Sequence, residues 1–190
     1  MMMGPMMIAL VVVLGIVLLV LLWAVGIYNG LVRLRLEVRN AWAQIDVQLK
    51  RRHDLIPNLV ETVKGYAGHE RGTLEAVTNA RTKAVAAQDV GSRVQAEGEL
   101  SRALGRLLML VESYPDLKAN QNFLALQEEL SSTENRIGFA RQYYNDSVTT
   151  YNARIQTFPP NVIAGMFGFR ESPFFEIEDA AERAAPQVKF

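Results

Sequence analysis

The residues that could do chemistry are few, and their spacing argues against it. His53-Asp54 and His69-Glu70 pair a histidine with a carboxylate, and they hold both histidines of the chain. Neighbours on a helix point about 100° apart, so neither pair can clamp a metal alone. A zinc site needs three or four converging ligands. Arg141-Gln142-Tyr143-Tyr144-Asn145-Asp146 offers acid–base groups, but Tyr144 falls on an apolar stripe, where a tyrosine packs its ring and bonds its hydroxyl. The glycines of Gly65–Gly72 lack the Gly-Lys-Ser/Thr ending of a phosphate loop. There is no cysteine, which removes thiolate catalysis, disulfides and Cys-zinc sites together. We therefore expect no catalytic residue, no metal ligand and no cofactor. Net charge is zero, so nothing points to nucleic acid.

What positions these residues is a chain built on its first apolar run. Met7–Tyr28 is 22 residues without a charge, above the roughly 20 that span a bilayer as a helix. No basic residue precedes it, as a cleaved signal would require. It is expected to be an uncleaved single span. Trp23 and Tyr28 sit near its end, where amphipathic rings favour the headgroup layer. Arg33, Arg35 and Arg39 follow, opposed only by Glu37. The positive-inside rule then predicts an external N-terminus and a cytoplasmic body. The same three arginines are candidates for contact with anionic lipid.

The remaining roughly 160 residues read as helices. Leu31, Leu34, Val38, Trp42, Ile45 and Leu49 step by three and four. At Arg51–Pro57, Asp54 suits a cap and Pro57 a first turn, so a tight corner is expected, with a continuous helix through Pro57 as the alternative. A second stripe begins at Leu55, with a break expected at Gly65–Gly72. An unbroken helix from Leu55 to Gln88 would rise roughly 50 Å and overrun the membrane surface. Gln88–Ser92 turns the chain into a third helix carrying Leu100, Leu104, Leu107, Leu108 and Val111. Pro115 ends it, and a fourth helix runs from about Lys118 to Gln156. Glu134 and Arg136 face the corner and are candidate partners for Arg51, Arg52 or Asp54. Asn58, Asn135, Gln142 and Asn145 could select helix partners, as a buried Asn does in a coiled coil.

The expected fold is all-α: an N-terminal transmembrane helix, then an elongated up-down-up-down four-helix bundle with an irregular C-terminal tail. The boundaries are 1–6 for a short lead, 7–28 for the span, 29–156 for the bundle and 157–190 for the tail. From Phe158 the tail is apolar but studded with Pro and Gly, and no helix of useful length is expected there. Phe158, Phe167, Phe169, Phe174, Phe175 and Phe190 make it a candidate strap over the core, or else an interfacial or subunit-contacting loop. Its last part is acidic (Glu176, Glu178, Asp179, Glu182) and suits an extended docking arm.

Several stretches resemble one family. Asn40-Ala41-Trp42, Asp46–Arg52, His53–Ala67, Ser132–Ile137, Ala140–Asn145, Phe158-Pro159 and Gly165–Phe169 together are similar to the LemA family, over nearly the whole chain. The resemblance implies a bacterial membrane protein with an N-terminal span and a four-helix bundle, and it carries over no catalytic residue. It suggests a supporting role in envelope stress or membrane-protein quality control. The expected function is a membrane-anchored scaffold or adaptor that self-assembles and recruits partners. The expected partners are the lipid bilayer, further copies of the chain and other membrane proteins. The alternative is a lipid-binding or membrane-shaping sensor.

Overall fold

A computed structural model describes residues 4–175. The acidic arm and Phe190 lie outside the described residues. Within them the chain is all-α, in the order α1 (Pro5–Lys64), α2 (Arg71–Ala86), α3 (Val90–Val111), α4 (Pro115–Lys118), α5 (Gln121–Gln156) and α6 (Pro160–Met166). One helix, α1, is long and apolar enough to cross a membrane, and its most apolar window is wholly exposed. A side chain such as Leu19 in that run finds no protein cover, which suits a lipid environment.

The corner expected at Arg51–Pro57 does not form. α1 passes through Pro57 and ends at Lys64. Its buried positions continue in one stripe: Ile45, Leu49, Arg52, Ile56, Leu59 and Val63. That three-four rhythm is what a single helix with one covered face requires. Proline has no N–H for the carbonyl four residues back, here that of His53. This oxygen instead accepts from Arg81 Nε at 2.7 Å. The helix therefore continues without leaving a buried acceptor unmet.

The break expected in the glycine segment is present. α1 stops at Lys64 and α2 starts at Arg71. Asp89 caps α3, its carboxylate accepting from Ser92 N at 2.9 Å. Asn120 does the same for α5, its Oδ1 accepting from Asn122 N and Phe123 N at 2.9 and 3.0 Å. The fourth helix thus begins after a short α4, a little later than expected.

Two compact units divide the chain. Among the described residues, one comprises 4–42 and 144–172, the other 43–143 and 173–175. In the second, one core joins Ile56, Leu59 and Val63 of α1 with Leu74 and Val77 of α2, Leu100 and Leu107 of α3, Leu117 of α4 and Phe123 of α5. Burying each such side chain stabilises the fold by about 1.5–3 kcal/mol. Within this unit α5 runs antiparallel to α1, as the pairs Tyr66–Asn120 and Arg52–Glu134 require. In the first unit the buried set is Leu31, Val38 and Ala41 of α1, Tyr144, Val148, Tyr151 and Ile155 of α5, then Ala164 and Phe169.

The tail also differs from expectation, since α6 forms where no useful helix was expected. Pro160 occupies its first turn, where a missing N–H costs little. Gly168 takes φ +68° after its end. That turn lets Phe169 N donate to Ala164 O at 3.0 Å and Gly168 N to Gly165 O at 3.5 Å. This pair of bonds is the Schellman ending, which glycine permits.

Candidate functional site

Two constellations stand out, one in each unit. In the second unit Arg52 lies 2% exposed, on the core face of α1. A lone guanidinium there would be very costly, so its partners are decisive. Nη2 donates to Glu97 Oε2 of α3. Nη1 donates to Glu134 Oε2 of α5 at 2.7 Å and to Ser101 Oγ of α3 at 3.1 Å. The other Glu97 oxygen meets His53 Nε2 at 2.8 Å. Arg52 Nε alone among its nitrogens finds no partner among the described residues.

Burial pushes the Glu97 carboxyl up. The hydrogen bond from His53 and the charge of Arg52 outweigh that effect and hold it below the ordinary carboxylate value. Both of its oxygens are engaged, so it is poorly placed as a general base. Buried ion networks of this kind serve register and specificity more readily than net stability.

Beside the cluster lies a cavity of about 410 Å³, lined by Lys50, Asp54, Arg81 and Arg93 among others. Lys50 is paired with Asp54 and Arg93 with Asp46, while Arg81 donates to the His53 carbonyl. His69 is exposed in the turn before α2, so the two histidines do not share a site. Among the described residues no group of His, Cys, Asp or Glu could hold a metal.

Glu134 pairs with Arg52 as the sequence allowed, while Arg51 pairs with Glu129 and Asp54 with Lys50. Glu97, Ser101 and Arg81 were missed. The signal for Glu97 was available, because it extends the α3 stripe of Leu100, Leu104, Leu107 and Val111 by one step of three. A second groove in this unit, of about 430 Å³, is lined by Val47, Arg136, Phe139 and Tyr143. Phe139 is 73% exposed there.

The first unit gathers aromatic rings at the end of the apolar run. Tyr28 lies 4.8 Å from Phe167 and 5.7 Å from Phe169, ring centre to ring centre. The Arg35 guanidinium stands 4.9 Å over the Phe169 ring, a cation–π contact. The backbone that presents Phe169 is pinned, with Tyr151 Oη donating to Arg170 O at 2.9 Å. Asn152 binds Ser172 twice, donating to its carbonyl and accepting from its N–H, both at 2.9 Å.

Of the residues expected at the membrane interface, Tyr28 and Arg35 join this cluster. Trp23, Arg33 and Arg39 are exposed on α1. Of the tail aromatics, Phe158, Phe167 and Phe174 are exposed while Phe169 and Phe175 are buried. Phe175 belongs to the second unit, where Arg141 stands 4.9 Å over its ring. Tyr144 is buried against Trp42, 5.3 Å between rings, and burial raises its hydroxyl pKa. Its surroundings make it a packing residue.

The LemA family model matches residues 41–190. Protein LemA of Metamycoplasma hominis is 33% identical over 141 residues, covering 74% of this chain and 64% of that protein. Magnetosome protein MamQ 2 of Paramagnetospirillum magneticum is 26% identical over 181 residues, covering 82% of this chain and 66% of its own length. Magnetosome protein MamQ of Magnetospirillum gryphiswaldense is 25% identical over 189 residues, covering 85% and 70%. The chain thus spans about two thirds of the length of these relatives. The family match covers most of the chain, including every residue of the Arg52 cluster; the chain belongs to the LemA family.

Proposed function

We propose that this protein is a membrane-anchored helical scaffold, which self-assembles and recruits partners at the bilayer. Residues 7–28 of α1 serve as the anchor, with the basic side, Arg33, Arg35 and Arg39, held in the cytoplasm. The helices beyond form a four-helix bundle that presents long faces to other copies and to membrane proteins. A role in envelope stress or membrane-protein quality control accords with the family resemblance.

The observation that carries this reading is the groove beside Phe139. Val47 and Phe139 are large apolar side chains exposed on neighbouring helices. Exposed apolar side chains that line one groove favour a protein contact. Phe174, also exposed, is a further candidate for subunit contact. The test is Phe139→Glu combined with Val47→Glu. Both sites are exposed, so the unfolding transition should hold while particle mass in mild detergent falls. An unchanged mass would remove the groove from the account.

A second reading is a lipid-binding or membrane-shaping sensor. It is supported by the aromatic and arginine side chains that meet at Tyr28, where the apolar run ends.

A further inference from the structure

We infer that α6 and its flanks form a second membrane contact, a wedge dipping into the leaflet from which the anchor helix emerges. The inference rests on the membrane-surface reading above, and specifies which side chains meet lipid.

α1 sets the depth. Protein cover on this helix begins inside the apolar run: Ala24, Ile27 and Tyr28 are half-buried, and Leu31 is fully buried. Just past the end of α6, the Phe167 and Phe169 rings lie on Tyr28. A tyrosine at the end of a span belongs at the headgroup level. Whatever packs on it shares that depth.

The outward face of α6 has the chemistry for that position. Phe158, Val162 and Met166 follow one another at four-residue steps, and Phe167 adjoins them. They are exposed by 81%, 53%, 73% and 59% respectively. Pro160 and Ala164 on the opposite side are buried, which fixes the helix with its apolar face outward. From Ile155 to Phe169 there are 15 residues without a charge. The flanks are basic on balance, with Arg154 and Arg170 exposed next to this stretch and Arg33 and Arg35 on α1, against the exposed carboxylates Glu37 and Glu171, the latter accepting from Gln156 Nε2 at 2.8 Å. An uncharged apolar face rimmed by arginines is the pattern of a segment lying in the interface, its apolar side about 5–10 Å into the headgroup–acyl boundary. The arginine stems can lie along the apolar layer while their heads reach phosphate. The occupant is therefore lipid, and continuity with the anchor is what selects it over a second copy.

The chain has no cysteine, so single nitroxide labels can be placed without background. Full-length Val162→Cys and Met166→Cys, each labelled and reconstituted in phosphatidylcholine–phosphatidylglycerol vesicles, would be read by collision with oxygen and with a water-soluble nickel complex. Leu18→Cys in the anchor and Met109→Cys on α3 give the lipid and water references. The expected result is high oxygen and low nickel collision at Val162 and Met166, as at Leu18. Water-like behaviour, as at Met109, overturns the wedge while leaving the anchor intact. Low collision with both reagents means protein cover by another copy, and also overturns it. A Leu18 label exposed to nickel overturns the membrane reading itself.

Discussion

Arg81 Nε donates to the carbonyl oxygen of His53 at 2.7 Å, the acceptor that Pro57 leaves without its helical partner. A side chain from α2 thereby completes the backbone of α1. An unmet buried carbonyl costs about 1–3 kcal/mol. Arg81→Ala should lower unfolding stability by that amount in a denaturant titration. Pro57→Ala returns an N–H to the position, so Arg81→Ala should cost about 1 kcal/mol less in that background. Strict additivity of the two changes would mean that Arg81 is not the replacement donor.

The Glu97 carboxyl gives a pH prediction. Its folded pKa lies below the ordinary value of 4.5. Between the two values the unfolded chain binds a proton that the folded chain does not. Its contribution is therefore full above pH 4.5 and is lost as pH falls through the lowered folded value. Glu97→Gln should remove this part of the acid dependence. At neutral pH it should also cost about 3 kcal/mol, because Arg52 loses a buried partner. Parallel stability–pH curves for the two proteins below pH 4.5 would contradict the assignment.

Arg52→Lys should fail to replace arginine. The guanidinium reaches Glu97, Glu134 and Ser101 from one planar fork, which an ammonium cannot reproduce. A loss of about 2 kcal/mol or more is expected by thermal unfolding. Full stability in the lysine variant would show that charge alone suffices there.

Asn152 closes the tail on α5 through its two bonds to Ser172. Asn152→Ala removes both, at about 1–2 kcal/mol, and should loosen the segment that carries Arg170. Limited trypsin digestion in detergent, followed by mass spectrometry, should show faster cleavage after Arg170. An unaltered rate would place the restraint elsewhere.

The helical content and the apolar N-terminal helix were legible because each depends on a periodic or continuous signal. The stripe from Leu31 to Leu49 and the break at the glycines are examples. The run through Pro57 was hidden for a physical reason. Arg52 occupies a core position, so the apolar rhythm lapses between Leu49 and Ile56, and the proline then looks like a boundary. Only the distant Glu97, Glu134 and Arg81 make the continuation possible, and no local pattern announces them. α6 was masked by its own punctuation, since Pro160 and Gly168 read as breakers although they stand at a permitted start and a favoured stop. Among the site residues, Tyr28 and Arg35 could be placed at the end of the apolar run from the sequence alone. Their meeting with Phe167 and Phe169 depends on the chain's return through α5.

The central claim is that copies of this 21.2 kDa chain assemble on a membrane. The direct measurement is the mass of the full-length protein in mild detergent, by light scattering with the detergent contribution subtracted, at two protein concentrations. The account predicts a protein mass that is the same whole multiple of one chain at both concentrations. A mass of one chain at both would contradict it.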